Sequence, residues 1–235
     1  MKALIKHITR KSFGLLVITI LLFNIVKAGE INTSYTAIEI TTPVGKTINL
    51  RPLLSLIKDQ GLPLSSIYAW SNHLVIYSNN LNINILYKII KGSYPGLTIK
   101  VYSHPFYVFN KQQCCVNSVL APQWDNIILT ANLVKDPKLQ QEYLNYHATQ
   151  FKKWPEVANG FCNADFQQLL VFKNGRQLLL VISIPKGKSL DELNPKTTEN
   201  NPRVDEWNKL MAKYQEGIPG TKSGEVWVFF SPLTP

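Results

Sequence analysis

Tyr143 and His147 stand four residues apart in Glu142-Tyr-Leu-Asn-Tyr-His147, so on a helix they share one face, a turn apart. An imidazole whose unperturbed pKa lies near 6.5 can take and return a proton at neutral pH. A phenol one turn away can donate or accept a hydrogen bond. Trp154-Pro155 closes the segment, because a residue before proline is pushed out of the helical region. The pair suits proton transfer, although a lone histidine on an amphipathic helix is more often structural and Tyr143 could simply pack beside Leu139. Trp154 and Trp207 offer flat apolar faces for a sugar ring, or serve as ordinary core. No serine, cysteine or aspartate combines with a histidine into a nucleophilic triad. No glycine-rich phosphate loop and no His-x-x-x-His pair is present, so no metal site is expected.

The elements that must position this pair can be read from period and punctuation. Asp136-Pro137 has the form of a helix start, with Asp as cap and Pro in the first turn. A strand is expected over 127–133 before it. After it comes a hairpin of 165–172 with 177–184 around Asn174-Gly175, a strong turn signal. Asn201-Pro202 should open another helix in the same way, with Val204, Trp207, Met211 and Tyr214 buried and Gly217 at its end. A last strand spans 225–230 and stops at Pro232. The long polar connection 185–200 holds a capping-box spacing, Ser189 to Glu192, and could form a lid.

The first half shows the same order of elements. A strand is expected at 34–41, a helix at 49–60, a hairpin of 66–70 with 74–77, and a helix at 81–91 ending before Gly92. Leu81, Ile85 and Ile89 should form the buried stripe of that helix. The run 97–109 is extended, with Pro105 allowing only an edge strand or a bulge. The fold class is therefore α+β: ferredoxin-like βαββαβ units in tandem with antiparallel sheets, like a dimeric α+β barrel. The first unit is placed at 29–117 and the second at 124–235. His73 and His104, in the first, have no tyrosine or carboxylate at helical spacing, and that half is read as structural.

Hydrophobic residues make up 45% of the 235 residues, which excludes wholesale disorder. The formal charge of +10 invites a nucleic-acid reading. Five of those charges (Lys2, Lys6, Arg10, Lys11, Lys27) lie in an N-terminal stretch with no acidic residue, leaving +5, and the rest are scattered rather than clustered on a face with aromatics. No nucleic-acid partner is expected. That stretch has the basic, apolar and small-residue parts of a secretory signal, so residues 1–28 are expected to be removed on export to the periplasm or the outside, leaving no membrane attachment. An exported protein meets an oxidising compartment. Cys114 or Cys115 could then join Cys162, leaving one odd thiol.

Residues 126–233 resemble the L-rhamnose mutarotase family. The resemblance is carried by Glu142-Tyr143-x-x-x-His147, Trp154-Pro155-Glu156, the apolar hairpin, Trp207 with Met211, and the closing Glu225-Val-Trp-Val-Phe-Phe. It implies an isomerase that interconverts sugar anomers without metal or organic cofactor, on a ferredoxin-like domain that pairs. It makes His147 the acid/base and Tyr143 a sugar contact, with Trp154, Gln167 and Trp207 as further contacts; Gln167 or Gln168 stands where the family's compact members carry a hairpin tyrosine. The spacing from His147 to Trp154 is longer than in those members. The expected ligand is a small-molecule sugar, and pairing would be a homodimer or a pseudo-dimer within one chain, the first half replacing a second subunit. A carbohydrate-binding module without turnover and a cofactor-independent oxygenase are the other functions that this fold class can carry.

Overall fold

The structure, a computed structural model, describes residues 35–43, 50–78 and 81–233. The signal-peptide reading at 1–28 lies outside them. Two βαββαβ units succeed one another along the chain. The first comprises β1 (Thr36–Thr41), α1 (Leu50–Asp59), β2 (Ile67–Trp70), β3 (His73–Ser78), α2 (Ile83–Ser93) and β4 (Thr98–Tyr102). A bridge of β5 (Tyr107–Asn110) and α3 (Lys111–Cys114) leads to the second: β6 (Trp124–Leu133), α4 (Pro137–Lys153), α5 (Pro155–Asn163), β7 (Gln168–Asn174), β8 (Gln177–Pro185), α6 (Leu190–Leu193), α7 (Pro202–Ala212), β9 (Gln215–Glu216) and β10 (Val228–Pro232).

The strands form one antiparallel sheet in the order β4-β1-β3-β2-β10-β6-β8-β7-β5, with β9 beside β6. Each unit contributes the order expected of a ferredoxin-like motif, and the seam between units is β10 on β2, where Ser231 faces Ala69. The extended run 97–109 is split at Ser103–Phe106, around Pro105, into β4 and β5, the two ends of the strand order. The ends approach each other: Asn174 on β7 donates its Nδ2 to the Val101 carbonyl on β4 at 3.0 Å. The sheet is thus strongly curled and barrel-like, with no strand pairing between its two ends among the described residues.

Alternation sorts the side chains into three layers. Ala37, Val75, Tyr102, Ile128, Phe172 and Leu179 fill the barrel interior, drawn from both units. Ile38, Ile40, Leu74 and Ile76 point the other way, onto Leu53 and Ile57 of α1 and Leu86 and Ile90 of α2. Leu129, Leu133, Leu178 and Ile182 do the same in the second unit, meeting Tyr143, Val157, Trp207 and Met211. At about 25 cal/mol per Å2 of apolar surface removed from water, these layers supply most of the stabilisation.

Several local expectations shift. Helix α2 runs through Gly92 to Ser93, closed by Tyr94 N–H on the Ile90 carbonyl at 2.8 Å; a glycine in a last turn weakens a helix without ending it. Its buried face is Leu86 and Ile90, whereas Ile85 is 47% exposed. The β7–β8 turn is Gly175-Arg176, closed by the pair Asn174 and Gln177, and positive φ (59°) falls on Gly175 rather than Asn174. Asn201 precedes α7 without a side-chain cap; its Nδ2 donates to the Glu156 carbonyl at 2.8 Å instead. Gly217 lies beyond the end of α7 and allows a close approach: a Cβ there would sit 2.7 Å from the Glu225 carbonyl oxygen. Cys115 is the partner of Cys162, their Cα atoms 5.8 Å apart, and Cys114 is free. Among the described residues no helix is long and apolar enough to cross a membrane.

Candidate functional site

Helix α4 begins as its sequence requires. Asp136 Oδ1 accepts from Lys138 N–H at 2.7 Å with Pro137 in the first turn, which satisfies one of the helix's orphan donors. The face that α4 turns toward the sheet carries Tyr143, His147 and Gln150, all buried. Trp154 ends the helix, its N–H on the Gln150 carbonyl at 2.7 Å. Pro155 then opens α5, a second helix that no signal in the sequence beyond Trp154-Pro155 sets apart.

His147 is 8% exposed. Its Nδ1 lies 3.0 Å from the Tyr143 carbonyl oxygen. A carbonyl only accepts, so Nδ1 carries the hydrogen and, in the neutral ring, Nε2 carries the lone pair. Four rings surround the imidazole: Tyr143 at 4.3 Å between centroids, Tyr107 and Trp207 at 5.2 Å, and Phe106 at 5.6 Å. This enclosure lowers its pKa to about 4, since burial disfavours the charged ring more than the bond to Tyr143 favours it. The ordinary value near 6.5 assumed from sequence is thus replaced, and the ring is neutral across the physiological range.

The imidazole borders a cavity of about 410 Å3 between the sheet and helices α4, α5 and α7, a size suited to a small molecule. Its walls are largely apolar, including Val157, Leu169, Val171, Ile182 and Met211. Polar groups converge at few points: His147, Tyr143, Gln215, Asn194 and Asn208. Gln215 donates its Nε2 to the Tyr143 hydroxyl at 3.2 Å and accepts at Oε1 from Trp227 Nε1 at 3.1 Å. The phenol therefore receives a hydrogen bond and keeps its own hydrogen to offer. Burial pushes its pKa well up, more than Gln215 lowers it, so that hydrogen stays on.

The expected site residues divide. His147, Tyr143 and Trp207 line the cavity together. Trp154 packs on Trp207 at 5.7 Å and carries the Arg203 guanidinium 3.9 Å above its ring, behind the cavity wall. Gln167 is wholly buried elsewhere; its Nε2 donates to the Asp165 carbonyl at 2.8 Å and its Oε1 accepts from Ala121 N–H at 2.8 Å. Gln215 and Tyr107 are the additions. Tyr107 comes from β5, and its hydroxyl donates to Gln150 Oε1 at 2.7 Å. Neither has a local sequence signal, because each reaches α4 only through strand pairing. The connection 185–200 is ordered by Ser189, whose Oγ accepts from Glu192 N–H at 3.2 Å. It buries Leu193 and Thr197 and brings Asn194 to the cavity rim.

A family model described as L-rhamnose mutarotase matches residues 127–232. That half of the chain belongs to the L-rhamnose mutarotase family. Among relatives, an L-fucose mutarotase of Xanthomonas campestris pv. campestris is 28% identical over 97 residues, 41% of this chain and 75% of that protein. A UPF0734 protein of Dictyostelium discoideum is 30% identical over 107 residues, 43% of this chain and 79% of that one. A solved Fusobacterium nucleatum protein, described as a candidate monooxygenase, has a TM-score of 0.44 at 7% identity, covering 84% of this chain and 90% of that one. The mutarotase match spans α4, the hairpin, α7 and β10. It thus includes His147, Tyr143, Trp207 and Gln215 but not Tyr107, which β5 adds from outside the matched range.

Proposed function

We propose that the chain is an isomerase that interconverts the α and β anomers of L-rhamnose or a related 6-deoxy sugar, with His147 as general acid/base. The observation that carries this reading is the fixed tautomer of His147: Nδ1 committed to the Tyr143 carbonyl and Nε2 unprotonated beside a small-molecule cavity. The proton on the anomeric oxygen passes to Nε2 as the bond from C1 to the ring oxygen breaks and a carbonyl forms at C1. The imidazolium then protonates the ring oxygen. Both oxygens are bonded to C1, so one nitrogen reaches each in turn. Rotation about C1–C2 presents the other carbonyl face, and the reverse transfers close the ring as the other anomer. The Tyr143 hydroxyl, oriented by Gln215, donates to a sugar oxygen. The apolar wall suits the methyl group of a deoxy sugar and shields the open-chain aldehyde from water.

Exchange-transfer NMR on L-rhamnose and L-fucose tests this directly. The anomers should interchange faster with protein than without, and His147→Ala should cut that acceleration about 100-fold or more while the fold persists. Acceleration by the alanine variant equal to that of wild type would exclude His147. One observation favours a second reading, a binding module without turnover: a base with a pKa of about 4 is weak. Saturable sugar binding with no added exchange for any sugar would establish that reading instead. We further propose that the protein is exported, a reading supported by the Cys115–Cys162 disulfide, and that the first unit replaces a second subunit.

A further inference from the structure

The barrel interior opens, on the side of the β7–β8 turn, into a second cavity of about 550 Å3. Among the described residues it shares no lining with the cavity around His147. His73, Lys100 and Gln177 lie at its base, and beneath them Glu39 is wholly buried. A buried carboxylate is costly unless its oxygens are met, and here each is. Oε1 accepts from His73 Nδ1 at 2.6 Å, Oε2 accepts from the Tyr102 hydroxyl at 2.8 Å, and Gln177 Nε2 reaches both at 3.0 Å.

A carboxylate placed this way fixes the ring beside it. His73 Nδ1 must carry a hydrogen, so the opposite edge presents Nε2. Among the described residues no protein group bonds Nε2, although the ring borders the cavity and is only 10% exposed. The geometry is that of a carboxylate-anchored imidazole that borders a cavity and whose Nε2 has no protein partner among the described residues. A purely structural buried pair would need no such cavity.

The charges around it define the ligand. Lys100 balances Glu39 and donates to Gln177 Oε1. Arg176 is held by Glu216 and by the Leu133 carbonyl at 2.7 Å. The ionised groups thus cancel in pairs, leaving no spare charge for an anion or a cation. What remains on the walls is amide and hydroxyl, from Asn132, Asn174, Thr41 and Thr98, facing an apolar edge of Ile218 and Pro219. A polar edge opposite an apolar one fits a neutral polyhydroxylated ring.

We propose that this cavity is a second ligand site, for a neutral sugar or similar polyol, in which a ligand hydroxyl donates to His73 Nε2. It draws on both units: His73 and Lys100 come from the first, Asn132 and Asn174 from the second. It stands independently of turnover at His147.

The chain has four histidines, few enough to assign each ring nitrogen by long-range 1H–15N NMR on the full protein. Titration with L-rhamnose and with L-fucose should shift His73 Nε2 saturably, along its own curve and separately from His147. Inorganic phosphate should leave it in place. A His73 Nε2 that no sugar moves overturns the proposal, as does one that phosphate moves and sugar does not. His73→Gln should weaken sugar binding, read from the Asn132 and Asn174 side-chain amides, by roughly tenfold; unchanged affinity in a folded variant also overturns it. The wild-type titration decides the matter even where the variant does not fold.

Discussion

Gln177 of the second unit donates its Nε2 to both carboxylate oxygens of Glu39 in the first, at 3.0 Å each, and also to Thr130 Oγ1 at 2.9 Å. This amide is the polar joint between the halves. Burial alone would raise the Glu39 pKa, yet His73, Lys100, Tyr102 and Gln177 together more than offset it and hold the carboxyl below its usual range. Replacing Glu39 by alanine should therefore cost about 3–5 kcal/mol, the cost of breaking a buried charged network. Gln177→Leu should cost about 1–3 kcal/mol. Urea unfolding of both singles and the double variant should show a coupled, less than additive loss.

The lowered pKa of His147 sets a pH window for the proposed activity. The ring must be neutral to accept a proton, so kcat/KM should stay level from neutral pH downward and fall to half at a pH of about 4. Stability moves in the same direction. The unfolded chain binds this proton first, near pH 6.5, and the folded state only at about 4, so stability is lost as pH falls between those values. The group accounts for about 3 kcal/mol of that loss. Thermal melts of wild type and His147→Leu across pH 4–7 should differ in slope.

Gly160 on α5 lies against the turn 194–197, whose Asn194 borders the cavity. A Cβ there would meet the Thr197 carbonyl oxygen at 2.5 Å and Val204 Cγ2 at 3.1 Å. Gly160→Ala must push the segment 194–197 outward, and should destabilise the protein by about 1–3 kcal/mol. Because Asn194 moves with that segment, sugar affinity should fall as well, and calorimetric titration would register both effects.

The Cys115–Cys162 disulfide, with a sequence separation of 47, ties the segment before β6 to α5. Closing a loop of that length stabilises by roughly 4 kcal/mol in the chain-entropy account. Reduction, or a Cys162→Ser change, should lower the melting temperature clearly. A Cys114→Ser change should not, since that thiol is free.

How much of this was legible depended on how far apart the partners lie in sequence. The Tyr143–His147 face comes from a four-residue spacing on one helix, and helix starts such as Asp136-Pro137 come from neighbouring residues. The same local signals misplace the α2 stripe, because Ile85 and Ile89 obey the period as well as Leu86 and Ile90 do; only the sheet beneath chooses between them. Trp154 reads as a sugar platform until Arg203 and Trp207 occupy its faces. The Glu39–His73 pair is 34 residues apart and meets through the β1–β3 register, in which Thr41 faces His73. No helical spacing announces it. Gln215 and Tyr107 reach the His147 cavity in the same non-local way.

The link of four residues from β4 to β5, through Pro105, joins the two edges of the strand order within one chain. Association between the two units is thereby intramolecular, and their effective concentration is set by the linkage and not by the amount of protein present. The cavity at His73, lined by residues from both sides of that linkage, should accordingly survive dilution that would dissociate two separate subunits.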